Sequence, residues 1–264
     1  MTISSFLMQV RPERAVLALA GLETEHFLQN LVTADVTGMA EGEARYAGLL
    51  TPQGKILFDF FIVRAGDTYL LDCAASQIEP LEKRLKFYRL RAKITIAARP
   101  DLEVGVAPEK PEGILAYLDP RSSQIGWRLL ADAGKLPKGT GYDAARIALG
   151  LADSDGDIGS SQLFPHEANF DQLGAVSFTK GCYVGQEVVS RMQHRSTARS
   201  RILPVQFEAD VEGSEICSDA KIIGTVLSKA GKLALALVRI DRLDEATSPL
   251  LTDGVTTRVM RTKT

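Results

Sequence analysis

The stretch KGCYVGQEVVSRMQHRSTARSR, Lys180 to Arg201, sets a cysteine between a lysine and a Gln-Glu pair, with glycines at 181 and 185. A thiol becomes a nucleophile or ligand as its thiolate, which nearby cations and helix N-termini favour. Lys180 precedes Cys182 by two, and YVGQEVVSRM has the composition of a helix starting just after it. One reading of Cys182 is therefore a functional thiol; the other is a small apolar packing residue. A cysteine nucleophile needs a base close in space. His26, His166 and His194 are available, and spacing does not choose among them. Gly181 and Gly185 suit an ordinary turn or a backbone that approaches a ligand. Arg191, Arg195 and Arg199 share one face if the helix runs that far, which would make an anion cleft.

A second candidate is Asp59 in GKILFDFF. On a strand it points away from Phe58 and Phe60. A carboxyl in such surroundings has a raised pKa and can bind an NH-bearing heterocycle. The plain alternative is a solvent-facing strand residue.

The bulk numbers limit the function classes. The chain has 264 residues and net charge −2, so no overall field draws it to nucleic acid or an anionic surface. Charge is local: seven Lys/Arg against Glu82 between Leu81 and Arg99, and five Lys/Arg against Glu187 between Lys180 and Arg201. Each is either an anion site or a solvated face. Cys73, Cys182 and Cys217 are odd in number and far apart, which argues against a disulfide framework or a self-sufficient metal site. With no signal peptide or membrane span legible, a cytoplasmic protein is expected.

The elements that must position these residues follow from periodicity. AVLALAG reads as a buried strand, and ETEHFLQNLVTADV as a helix with Phe27, Leu28, Leu31 and Val32 on one face and Thr24 as its N-cap. EARYAGLL, KILFDFFIVR and TYLLDC form a meander, EPLEKRLKFYRL a helix, and KITIAA a strand. ILAYLDP and QIGWRLL read as strands and YDAARIALGLA as a helix. DSDGDIGSSQLFPHEANFDQLGAV is a long polar loop, a kind more often functional than idle. After Arg201, RILPVQFEA, KIIGTVLSK, KLALALVRI and TTRVMR predict a small antiparallel barrel or sandwich. The expected fold class is α+β with a boundary near residue 200.

KGCYVGQE resembles the signature of YgfZ-type proteins, folate-binding relatives of the glycine-cleavage T-protein (aminomethyltransferase) superfamily. FLQNLVTADV, ARYAGLLTPQGKILFDFFIV and LFPHEANFDQLGAVSFTKGC extend the likeness over nearly the whole chain. The resemblance implies a three-part ring of ferredoxin-like α/β units with a C-terminal antiparallel β-barrel, divided into a folate-binding region of residues 1–200 and a barrel of residues 201–264. It implies a tetrahydrofolate-type ligand in a central channel. The folate contacts it carries over are Asp59, Asn30, Tyr88, Gln186, Glu187 and Arg191, with Cys182 as the functional thiol and Lys180 beside it. It implies an accessory role with iron–sulfur client or assembly proteins, acting indirectly on tRNA modification, without direct nucleic-acid or membrane contact. The alternative is a folate-dependent aminomethyl or one-carbon transferase, so whether the chain is an enzyme stays open. Two departures weigh against transfer. Phe58 and Phe60 flank a single acid where the T-protein has adjacent acids, and Ala148 in RIALG replaces its pterin-holding glutamate.

Overall fold

The computed structural model describes residues 6–195, 198–219 and 221–260. The chain runs β1 (Gln9–Val10), β2 (Arg14–Ala20), α1 (Thr24–Gln29), β3 (Ala44–Leu50), β4 (Ile56–Ala65), β5 (Thr68–Ala74), α2 (Ile78–Arg89), β6 (Thr95–Ala98), β7 (Leu102–Ala107), β8 (Leu115–Leu118), β9 (Trp127–Asp132), α3 (Tyr142–Ala148), α4 (Gln186–Arg195), β10 (Ser200–Phe207), β11 (Glu215–Ser218), β12 (Lys221–Ala230), β13 (Leu233–Arg239), α5 (Ile240–Glu245), β14 (Leu251–Thr252) and β15 (Val255–Val259). These make a five-stranded sheet in the order β3-β4-β5-β2-β6, a four-stranded sheet in the order β1-β7-β9-β8, and a closed six-stranded barrel β10-β13-β12-β11-β14-β15.

The first sheet is the expected meander, completed by β2 and β6, and all its ladders are antiparallel. Strand alternation sorts its side chains to two faces. Leu17, Leu19, Phe58, Phe60 and Ile62 pack with Leu81 and Leu85 of α2 on one side. Val16, Tyr46, Phe61 and Val63 face the other way, where they join Val104, Tyr117 and Leu130 of the second sheet and Ile202 and Leu235 of the barrel. This second cluster ties the three units together, and Asp59 lies on its side of β4.

Two local expectations change. Helix α1 ends at Gln29, short of Leu31 and Val32. Leu31 and Val32 still turn back on the Leu28 carbonyl, but Val32 then bridges to Leu49 and Thr33 N donates to Gly48 O, so the sheet edge takes over the backbone. Thr24 is the first helical residue, not the N-cap; its buried Oγ1 has no hydrogen-bond partner, and Glu23 occupies the cap position. The long polar loop holds a single π-turn at Ser154–Ile158 and buries Ile158, Leu163 and Phe170. Phe170 sits 5.0 Å from Tyr46, centroid to centroid, and within reach of Gly48, where any Cβ would come within 2.9 Å of the ring.

Candidate functional site

The loop that carries Cys182 is held at both ends and free in the middle. Lys180 is buried, and its ammonium donates to Val32 O at 2.8 Å and Ala34 O at 2.7 Å. Tyr183 is buried 5.5 Å beneath the Lys180 nitrogen, ring centroid to Nζ. Between these anchors Gly181 and Cys182 face solvent. The segment leading into this loop is laced to the segment before β3: Ser177 N donates to Thr33 O, and Thr33 Oγ1 donates to Ala175 O. Burial pushes the Lys180 pKa down to about 8, with partial compensation from Asp35. The lysine thus anchors the loop rather than pointing its charge at the thiol.

Helix α4 begins four residues past Cys182, after a turn that needs Gly185. That residue has φ +81°, and a Cβ on it would come within 2.7 Å of Thr51 O. Gly54, at φ +81° in the TPQG turn, packs as closely on Val188. The β3–β4 turn and the start of α4 therefore lock together, which fixes where the exposed thiol sits. Cys73 is its opposite: buried on β5, with burial pushing its thiol up to about 12.

The second constellation lies inside the ring. Asp59, 4% exposed, accepts hydrogen bonds from Tyr46 OH and Ser154 Oγ, both at 2.9 Å. Burial raises its pKa, against the pull of Arg14 and of its two hydroxyl donors. Around it runs a web of buried ion pairs. Asp72 accepts from Arg14 Nε and Arg128 Nε, each at 2.7 Å, and from Tyr117 OH at 2.9 Å. Despite desolvation, Arg128 and Arg14 hold its carboxylate below the ordinary range. Arg121 pairs with Asp119, and Arg146 with Asp143 and Asp157. Phe61 lies under these cations, 4.0 Å from Arg128 and 4.7 Å from Arg121, a cation–π stack that covers the ring. Asp59 differs from the other carboxylates in taking its hydrogen bonds from hydroxyls, not from a guanidinium.

The sequence-derived residues do not converge. The space beside Asp59 is lined by Arg11, Arg14, Arg121, Arg128, Arg146 and Asp153, among others, and by none of Asn30, Tyr88, Gln186, Glu187 or Arg191. Asn30 caps α1 and donates to His26 O. Tyr88 stacks edge-on against Phe87 on α2. Gln186 donates weakly to Gly181 O, within the thiol loop itself. Glu187 and Arg191 pair with each other on the exposed face of α4. The residues missed were Arg14, Tyr46, Asp72, Arg128 and Ser154. For three of them a signal was available: Arg14 opens the apolar run RAVLALA, and Asp72 and Arg128 are charges set inside TYLLDC and WRLLAD.

A folate-type ligand can be tested against this geometry. The cavity beside Asp59 has about 10 Å³, room for about one water, while ligand clefts run to roughly 300–1,000 Å³. With its arginines paired as they are, the interior does not admit a pterin at Asp59. A cleft of about 360 Å³ lies elsewhere, between α3 and the barrel, where Ala148, Arg121, Gln124, Asn169 and Pro204 line it.

Residues 199–263 match the CAF17 C-terminal β-barrel domain. The glycine cleavage system aminomethyltransferase T of Bartonella henselae superposes with a TM-score of 0.78 over 98% of this chain and 86% of that one, at 15% identity. The fold is therefore that of the T-protein, with its closed C-terminal barrel, as the sequence predicts. The mitochondrial iron–sulfur cluster assembly factor IBA57 of Mus musculus is 31% identical over 274 residues, covering 87% of this chain and 76% of that protein. The human IBA57 is 30% identical with the same coverage, and the Chaetomium globosum homologue 28% identical over 91% of this chain and 73% of its own length.

The chain belongs to the IBA57 family of iron–sulfur cluster assembly factors.

These relatives are all named mitochondrial, which overturns the expectation of a cytoplasmic protein. The physical reason for the miss is simple: unpaired, scattered cysteines speak for a reducing compartment and do not single out the cytoplasm. No helix among the described residues is long and apolar enough to cross a membrane. Among the described residues no three His, Cys, Asp or Glu side chains are placed to hold a metal ion.

Proposed function

We propose that this IBA57-family chain is an accessory factor in assembly or repair of iron–sulfur proteins, and that its working group is the Cys182 thiol. The observation that carries this reading is the loop geometry. Two buried anchors, Lys180 and Tyr183, hold an otherwise unsupported cysteine out to solvent. A packing cysteine has no need of that arrangement. A protein iron–sulfur cluster takes about four ligands, so a single exposed thiol acts together with ligands of an assembly or client protein. On this reading the region before the boundary near residue 200 is the body that presents the thiol, and the barrel strands β10 to β15 close it. Effects on tRNA modification follow indirectly, through the iron–sulfur enzymes that carry it out; the narrower YgfZ-type assignment rests on the KGCYVGQE signature.

Tetrahydrofolate is a second element of the proposal, favoured by the T-protein fold and by the 360 Å³ cleft beside Ala148. It is assigned to that cleft and not to Asp59, where there is no room. Aminomethyl transfer is the weaker alternative. Ala148 leaves the cleft without a carboxylate for the pterin, and Asp59 is occupied by Tyr46 and Ser154.

The test is complementation. In cells lacking the protein, the wild-type chain should restore iron–sulfur enzymes while enzymes without clusters stay unchanged. The purified chain with tetrahydrofolate and an aminomethyl-loaded lipoyl-carrier protein should release neither ammonia nor methylene-tetrahydrofolate. Release at enzymatic rates would move the assignment to the transferase.

A further inference from the structure

Helix α2 has two unlike faces. Leu81 and Leu85 are buried against the first sheet. On the outer side Lys83, Arg84, Phe87 and Leu90 recur at spacings of three and four, which places them on one exposed face. Phe87 is 70% and Leu90 85% exposed. Leu90 ends the helix at φ +44°, a conformation that costs a leucine energy and that glycine usually takes. A groove of about 500 Å³ runs beside this face, its floor made by Leu57, Phe58 and Pro80 and its wall by Lys83, Arg84 and Phe87.

The charged side chains that line the groove, Lys83 and Arg84, have one sign, and Asp155 beyond them is bonded to Gln77. No acidic side chain lines it. Lys83, Arg84, Arg91 and Lys93 are exposed, and none of them makes an ion pair among the described residues; Lys86 and Arg99 in the same stretch are paired, with Glu82 and Asp101. Elsewhere on α2 the signs mix, with Glu82 paired to Lys86 four residues on and Glu79 one turn before Lys83. An apolar slot walled by unmatched cations complements an apolar side chain carried among carboxylates, and it repels a basic segment.

We propose that the α2 groove docks an acidic segment of a partner protein, with one large apolar side chain seated on Leu57, Phe58 and Phe87 and flanking Asp or Glu residues meeting Lys83 and Arg84. This interface is independent of the role given to Cys182.

The experiment is selection of the full chain against a displayed library of random linear peptides, followed by titration of one synthetic winner. The selected peptides should pair an aromatic or leucine with several Asp or Glu. Binding should weaken at least about tenfold in Phe87→Ala and in the Lys83→Glu/Arg84→Glu double variant, and weaken with added salt. Because these side chains are exposed, both variants should melt as the wild type does; Arg258→Glu, on the barrel, should leave binding unchanged. Four results would overturn the proposal: no acidic–apolar consensus, winners that bind both α2 variants as tightly as wild type, displacement of the winner by a short RNA, or a concentration-dependent dimer abolished by Phe87→Ala, which would give the groove to a second copy of the chain.

Discussion

At the residue scale, Asp59 and Asp72 sit in the same interior but do different work. Asp72 is a charged hub: its loss leaves Arg14 and Arg128 buried without their shared carboxylate. Asp72→Asn should cost about 3–5 kcal/mol in chemical denaturation. Asp59 has a raised pKa, so ionising it costs more in the folded chain than in the unfolded one, and stability is lost as pH rises above the ordinary carboxyl range. Asp59→Asn should therefore stay within about 1 kcal/mol of wild type at neutral pH, and any gain should shrink in acid, where the native aspartate is protonated as well. Lys180 offers a pH test of its own. Its folded pKa, about 8, lies below the ordinary 10.5, so between those values the unfolded chain binds more protons and stability rises with pH. Denaturant midpoints of wild type should gain on those of Lys180→Met across that window; a difference that does not change with pH would place the lysine's charge in solvent. The orientation of Asp59 opposite Phe58 and Phe60 was legible from strand alternation. Its burial was not, because Ser154 arrives from 95 residues away in a loop without periodicity.

At the element scale, the site depends on the lock between the TPQG turn and the start of α4. Gly185→Ala would put a Cβ 2.7 Å from Thr51 O at a left-handed φ, so it should destabilise by about 1–3 kcal/mol and reduce complementation more than its stability loss explains. Gly181→Ala, with nothing within 4 Å, should melt within about 1 kcal/mol of wild type. Equal effects of the two would dissolve the lock. Sequence periodicity found the meander, α2, α3 and the four longest barrel strands, because each has a clear apolar period or run. It missed β1, β11 and β14, of two to four residues, which are too short to show one, and also β7, whose run is broken by Gly105, and the short helix α5. It also extended α1 into residues that the edge of β3 claims, a tertiary pairing that overrides a local pattern. For the thiol loop, the chain showed that Cys182 was unusual, yet it suggested Lys180 as an activating neighbour. Only the fold reveals that the lysine turns inward to two carbonyls.

At the scale of the whole molecule, three units share one apolar cluster, and a web of arginines and aspartates fills the centre that in a wider ring could hold a ligand. Tetrahydrofolate, on the reading above, enters the outer cleft. Ligand at a hundredfold excess over its dissociation constant should stabilise the folded chain by about 2.7 kcal/mol. A melting scan should show that upward shift in Asp59→Asn as in wild type, and lose it when Ala148 is replaced by a bulky Trp that fills the cleft. A shift lost in Asp59→Asn alone would return the ligand to the interior. The central claim, however, concerns the thiol, and it is tested most directly by Cys182→Ser in cells lacking the protein. The variant should accumulate and melt as wild type does, since the side chain is exposed, and still fail to restore iron–sulfur enzyme activity per amount of folded chain. Full restoration by the folded serine variant would contradict the account.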